Sequence, residues 1–86
     1  MKEMQRRSGV VVSLNTSDRA CLRFGFKSGT RVKDPDKNKA TMIGVGKGTG
    51  CDSDEDVMYY QIDGKDYVEY YSSTEDLKGA GFKEIK

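Results

Sequence analysis

The sequence predicts a small, mainly β domain: a bent barrel of five or six short antiparallel strands with one short helical turn near the C-terminus. Three observations predict it. Apolar and polar residues alternate with a period of two in several separate runs, the mark of strands with one buried face. Clusters of Gly, Pro, Asn, Asp and Ser interrupt those runs at short intervals, as turns require. Asp63-Gly64 lies between two runs rich in Val and Tyr, a strong local signal for a hairpin. Eighty-six residues make one domain, and a chain that is 35% hydrophobic and 34% charged can fill one modest core.

Residues 1–9 are polar and basic and are expected to be a flexible N-terminal segment, with the barrel spanning 10–86. Val10, Val12 and Leu14 alternate with Val11 and Ser13, and predict the first strand. Asn15-Thr16-Ser17-Asp18 is a polar turn. Leu22, Phe24 and Phe26 alternate with Arg23, Gly25 and Lys27, and predict a second strand, ended by Ser28-Gly29. Thr30 to Lys33 is a short extended segment, and Asp34-Pro35-Asp36-Lys37-Asn38 is a turn whose proline presets φ. Thr41, Ile43 and Val45 mark a further strand. The stretch from Gly46 to Asp56 is rich in Gly and acid and is expected to be a mobile loop.

Val57–Ile62 and Lys65–Tyr71 then flank Asp63-Gly64. A two-residue type I′ turn sets Ile62 opposite Lys65, Tyr60 opposite Tyr67, Tyr59 opposite Val68 and Val57 opposite Tyr70. One face then holds Val57, Tyr59, Val68 and Tyr70, and is assigned to the core. The other holds Met58, Tyr60, Ile62, Lys65, Tyr67, Glu69 and Tyr71, carries the charges, and faces outward. Ser72 to Lys78 carries a hydroxyl cap followed by acids, which suits a helical turn that Gly79 stops. Phe82 and Ile85 return apolar groups to the core in a last short strand.

Several chemistries are poorly supported. There is no histidine, which removes the commonest general base and metal ligand. Cys21 and Cys51 are 30 residues apart without a C-x-x-C pair, too few for structural zinc, and are read as reduced thiols of an intracellular protein. Gly44-Val45-Gly46-Lys47-Gly48-Thr49 lacks the Ser or Thr that must directly follow the Gly-Lys of a phosphate loop. Asp52, Asp54 and Asp56 open like a calcium loop, but Val57 and Asp63 stand where it needs Gly and Glu. Nothing sets a nucleophile beside a base, so no enzyme, cofactor or metal is expected. No apolar run nears the roughly 20 residues of a membrane span, and the N-terminus has no signal-like stretch.

The formal net charge of +1 hides a division. Residues 1–39 carry ten basic and four acidic side chains, net +6, and residues 40–86 carry five and ten, net −5. Such asymmetry is read either as adjacent strands whose charges partly neutralise each other across the fold, or as a partner face, a nucleic-acid face or head-to-tail self-association.

The stretch Phe26-Lys27-Ser28-Gly29-Thr30-Arg31-Val32-Lys33, followed by Ala40-Thr41-Met42-Ile43-Gly44-Val45, resembles the SH3-like barrels, particularly the Tudor and KOW groups. Gly29 and Val32 match their G-x-x-V strand, and Thr41, Ile43 and Val45 the strand after the polar turn, with Ala40 in place of the usual Gly. The resemblance covers about twenty residues, and implies a module that binds peptides, modified tails or nucleic acid.

Two functional expectations follow. The first is protein or peptide binding through Met58, Tyr60, Tyr67 and Tyr71, with Asp54, Glu55 and Asp56 steering a basic ligand. The alternative is RNA or DNA binding through Arg23, Lys27, Arg31, Lys33, Lys37 and Lys39, cations placed to meet phosphates.

Overall fold

A computed structural model describes residues 1–85; Lys86, the last residue of the expected domain, lies outside the described residues. Seven strands run in chain order: β1 (Lys2–Gln5), β2 (Val11–Leu14), β3 (Arg31–Lys33), β4 (Lys39–Lys47), β5 (Asp56–Ile62), β6 (Glu69–Tyr70) and β7 (Lys83–Glu84). Two one-turn helices, α1 (Asp18–Cys21) and α2 (Leu77–Ala80), sit between them. The fold is mainly β and antiparallel, as the alternation predicts.

β1 and β2 form a hairpin, and the other strands form a sheet in the order β6-β5-β4-β3-β7. Two single bridges join these parts. Asn15 exchanges both backbone hydrogen bonds with Val45, at 2.8 and 2.9 Å, and the Val68 N–H donates to the Gln5 carbonyl at 2.9 Å. β1, β2, the second half of β4, β5 and β6 thereby close a ring. β3 and β7 continue outward from the first half of β4.

β4 serves both parts because it bends. Ile43 is an extra residue between the Met42–Tyr60 and Gly44–Tyr59 pairs, a β-bulge that turns the strand. Beyond the bulge β2 crosses over β4 at close range. A Cβ on Gly44 would lie 2.7 Å from the Asn15 carbonyl oxygen, and one on Gly46 would lie 2.8 Å from Leu14 Cδ2. The glycines that tempt a phosphate-loop reading are therefore the room this crossing needs.

The β4–β5 ribbon is buried on both faces. On one side Cys21, Phe24, Phe26, Met42, Met58, Tyr60, Leu77 and Phe82 form the larger cluster, capped by α1, the turn after it and α2. On the other, Leu14, Ile43, Val57, Tyr59 and Val68 lie under the β1–β2 hairpin. Apolar surface on both faces of a central ribbon is the reason the chain needs the N-terminal hairpin as a cover.

Four local expectations are corrected. Residues 2–5, expected in a flexible segment, pair with β2 as β1. Residues 22–27, expected as a strand, begin as a 3-10 turn over Leu22–Phe24 that continues α1. Ser17 caps α1, its Oγ accepting from the Ala20 N–H, and this cap starts helical turns that bury Cys21 and Phe24 while leaving Leu22 50% exposed. The acidic loop is not left loose: the Tyr70 hydroxyl accepts from the Thr49 N–H at 3.1 Å and lies 3.1 Å from Asp52 Oδ2.

The fourth correction is the hairpin. Tyr59 pairs with Tyr70 and Tyr60 with Glu69, two residues away from the expected register, and the second arm shrinks to two residues. The Lys65 N–H does close a turn onto the Ile62 carbonyl at 3.1 Å. However, φ is positive only at Gly64, whereas a type I′ turn needs it at both central residues. Without that geometry the arms separate, and ladder pairing resumes only at Tyr60 and Glu69.

Candidate functional site: a lysine row on the open half of the sheet

The open face follows from strand alternation. Val32 and Ala40 point into the larger cluster, so Arg31, Lys33, Lys39 and Thr41 point the other way. There the β1–β2 hairpin covers only the second half of β4. The first half, with β3 and β7, is left to solvent.

Lys39, Lys33 and Lys83 stand in register across the three strands: Lys33 pairs directly with Lys39 on one side and with Lys83 on the other. Neighbouring strands are about 4.8 Å apart, so the three side chains spring from a row of about 10 Å. All three are exposed, and among the described residues none forms an ion pair. Like charges directly opposite each other oppose the sheet that carries them. Arg31 lies on the same face, but Asp63 neutralises it: its Nη1 and Nη2 donate to the two carboxylate oxygens at 2.7 and 2.5 Å. This pairing holds the Asp63 carboxyl below its ordinary range and the Arg31 guanidinium above its own.

At the end of the row is a cavity of about 370 Å³ lined by Lys33, Asp34, Pro35, Lys37, Gly81 and Lys83. Its one carboxylate among the described residues is committed to the scaffold. Asp34 is 4% exposed, and it accepts from the Asn38 N–H at 2.8 Å and the Asn38 side-chain amide at 3.3 Å. This clamp shapes the turn that carries Lys37.

The six cations of the expected nucleic-acid face are thus divided by the fold. Lys33, Lys37 and Lys39 are gathered, and Arg31 joins them in an ion pair. Arg23 is elsewhere, bound to Glu75 at 3.0 Å and Asp56 at 3.4 Å, and Lys27 faces Asp18 at 3.8 Å. Lys83, from the acidic half, completes the row. A faint signal for it existed in the expected last strand, but its pairing with β3 is a long-range contact that no local pattern encodes.

The aromatic face does not form as expected. Met58 and Tyr60 are 2% and 4% exposed, and the Tyr60 ring meets Phe82 edge-on at 5.1 Å between centroids. Burial pushes the Tyr60 phenol far above its usual range. The assignment fails because both faces of β5 are covered, so alternation there does not separate inside from outside. Tyr67 is half-buried and accepts from Arg7 Nη2 at 3.1 Å. Tyr71 is 49% exposed and packs edge-on against Phe82. Asp54 and Glu55 are exposed, while Asp56 sits in β5 and pairs with Lys47 at 2.9 Å. Hydrogen bonding from Lys47 lowers the Asp56 carboxyl's pKa.

Both thiols are free, Cys21 buried and Cys51 exposed, and burial raises the Cys21 thiol. Among the described residues no helix is long and apolar enough to cross a membrane, and no three metal-ligating side chains gather. Compared with known proteins, the chain matches no family model, no curated protein and no solved structure.

Proposed function

We propose that this chain is a non-catalytic nucleic-acid-binding module that grips the phosphate backbone with the open face of β4, β3 and β7. The single observation that carries the reading is the Lys39–Lys33–Lys83 row. Three exposed ammonium groups in register, none of them in an ion pair among the described residues, cost the free sheet stability that a bound polyanion restores. A peptide-docking role through Tyr67 and Tyr71 has less support, since Met58 and Tyr60 lie in the core.

The face offers cations and no exposed aromatic platform among them, so it reads charge along a backbone and not base identity. Fluorescence anisotropy with labelled single- and double-stranded oligonucleotides tests this. Binding is expected to weaken with salt along a log–log slope of about −3, as three or so phosphates release their counterions. Lys33→Glu at the centre of the row is expected to weaken binding about tenfold or more at low salt. Absence of binding at low salt, or capture of polyglutamate in preference to every oligonucleotide, overturns the nucleic-acid reading.

A further inference from the structure

Lys37 is the one non-glycine residue among those described with a left-handed backbone, at φ 70°. A long side chain at such a position is uncommon, and glycine or asparagine fills it with less strain. The turn nevertheless holds a lysine there. The Lys37 N–H donates to the Asp34 carbonyl at 2.9 Å, the Asp34 N–H donates to the Asn38 carbonyl at 2.9 Å, and the buried Asp34 carboxylate ties Asn38 down. Strain that the surroundings enforce is a pointer to function where the strained residue faces a site. Lys37 does so: it lines the cavity at the end of the lysine row, beside Lys33 and Lys83.

The chemistry of that cavity is specific. Three lysines from three separate segments, the end of β3, the strained turn and β7, line one concave space. Its only acidic group among the described residues spends both oxygens on Asn38. Pro35 and Gly81, close to each other, add apolar surface to the lining. The cavity also lies at the edge of the sheet, since β7 is the last strand in the sheet order among the described residues. A phosphodiester within a chain carries one negative charge and two covalent neighbours that must leave the cavity by different routes. A terminal phosphomonoester carries nearly two charges at neutral pH, has three strong acceptor oxygens and needs one exit.

We infer that the cavity formed by Lys33, Lys37 and Lys83 seats the terminal phosphate of a nucleic-acid strand whose following backbone runs along the row toward Lys39. The inference rests on the nucleic-acid reading above and adds to it a preference for phosphorylated ends.

The experiment compares one oligonucleotide sequence in three forms, with a 5′-phosphate, with a 3′-phosphate and with hydroxyls at both ends, against the wild-type chain, Lys37→Gly and Lys39→Gln. One phosphorylated form is expected to bind about tenfold tighter than the hydroxyl form, and the favoured end gives the polarity of the strand. Lys37→Gly is expected to bring the forms to equal affinity, whereas Lys39→Gln weakens all of them and keeps their ratio. Inorganic phosphate is expected to shift the backbone amide resonances of Lys33, Lys37 and Lys83 in the wild-type chain and to compete with the favoured form. Equal affinity for all three forms in the wild-type chain, with binding intact, overturns end recognition and leaves the backbone-binding reading standing. Absence of binding to every form overturns that reading itself. Circular dichroism and thermal melting of each variant separate a lost contact from a lost fold.

Discussion

Lys33 and Lys83 face each other directly across the antiparallel β3–β7 pair, two exposed cations in a position where opposite charges would support the sheet. The repulsion falls on a strand of two residues at the sheet edge, which has few other contacts to hold it. Lys83→Gln is therefore expected to raise the thermal midpoint, more at low salt than at high salt, because exposed charges are screened within about 10 Å at 0.1 M. The same variant is expected to bind oligonucleotide less well. A gain in stability paired with a loss of binding is what distinguishes a functional charge row from a neutral arrangement. A drop in stability on Lys83→Gln would contradict it.

Lys37→Gly removes a side chain from a left-handed position. Relief of the backbone strain, less the extra entropy glycine brings to the unfolded chain, is expected to stabilise the fold by about 0.5–1 kcal/mol. Chemical denaturation with an unchanged slope would measure it.

Gly44→Ala is expected to be severe. Its methyl group would lie 2.7 Å from the Asn15 carbonyl oxygen, a backbone atom that accepts from the Val45 N–H at 2.9 Å while the Asn15 N–H donates back to the Val45 carbonyl. Overpacking of this kind costs about 1–3 kcal/mol, a large fraction of a small domain's stability. If Gly44→Ala melts like the wild type, β2 does not cross β4 as described.

The Tyr70 hydroxyl holds the 49–52 segment through Thr49 and Asp52. Tyr70→Phe keeps the ring that packs on Tyr59 and removes only this tether. The expected loss is about 1–2 kcal/mol, with faster amide exchange at Asp52 and Ser53, whose N–H groups bond within that turn. Unchanged exchange there would assign the order of the loop to its own backbone.

The Asp63 carboxyl is held below its ordinary value chiefly by hydrogen bonds from Arg31, and Asp56 chiefly by those from Lys47. Each folded-state pKa is lower than its unfolded counterpart. The stability they contribute is therefore present above the ordinary carboxylate value and is lost as pH falls through the folded one. Wild-type stability is expected to decline below about pH 4, and Asp63→Asn is expected to flatten part of that decline. Both pairs are exposed, so the effect is also expected to shrink with added salt.

The strands read over residues 10–14, 41–45 and 57–62 were legible because a local period of two is enough to mark them, and residues 30–33 were legible as an extended segment. Lys39, Ala40, Gly46, Lys47 and Asp56 joined their strands only in the fold. The turn at Asp34–Asn38 was legible from its proline and its Asx residues. The segment after Ser17 was misread for an equally local reason: Leu22, Phe24 and Phe26 alternate, but the Ser17 cap acts first and starts a helix. At the candidate site, Lys33, Lys37 and Lys39 lie within seven residues and could be grouped from the sequence. Arg23 and Lys27 could not be told apart from them, because their carboxylate partners, Glu75, Asp56 and Asp18, are distant in the chain or set by a helix the pattern did not show.

What the sequence determined by itself was the class of fold, the identity of most strands and the uneven distribution of charge. These depend on residue type and near-neighbour spacing, which propensity and alternation encode directly. The tertiary structure alone decided that both faces of β5 are buried, that Lys83 joins Lys33 and Lys39, and that Asp63 silences Arg31. Those outcomes arise from pairings between segments far apart in the chain, where burial is settled by what covers a strand and a charge is settled by what stands opposite it.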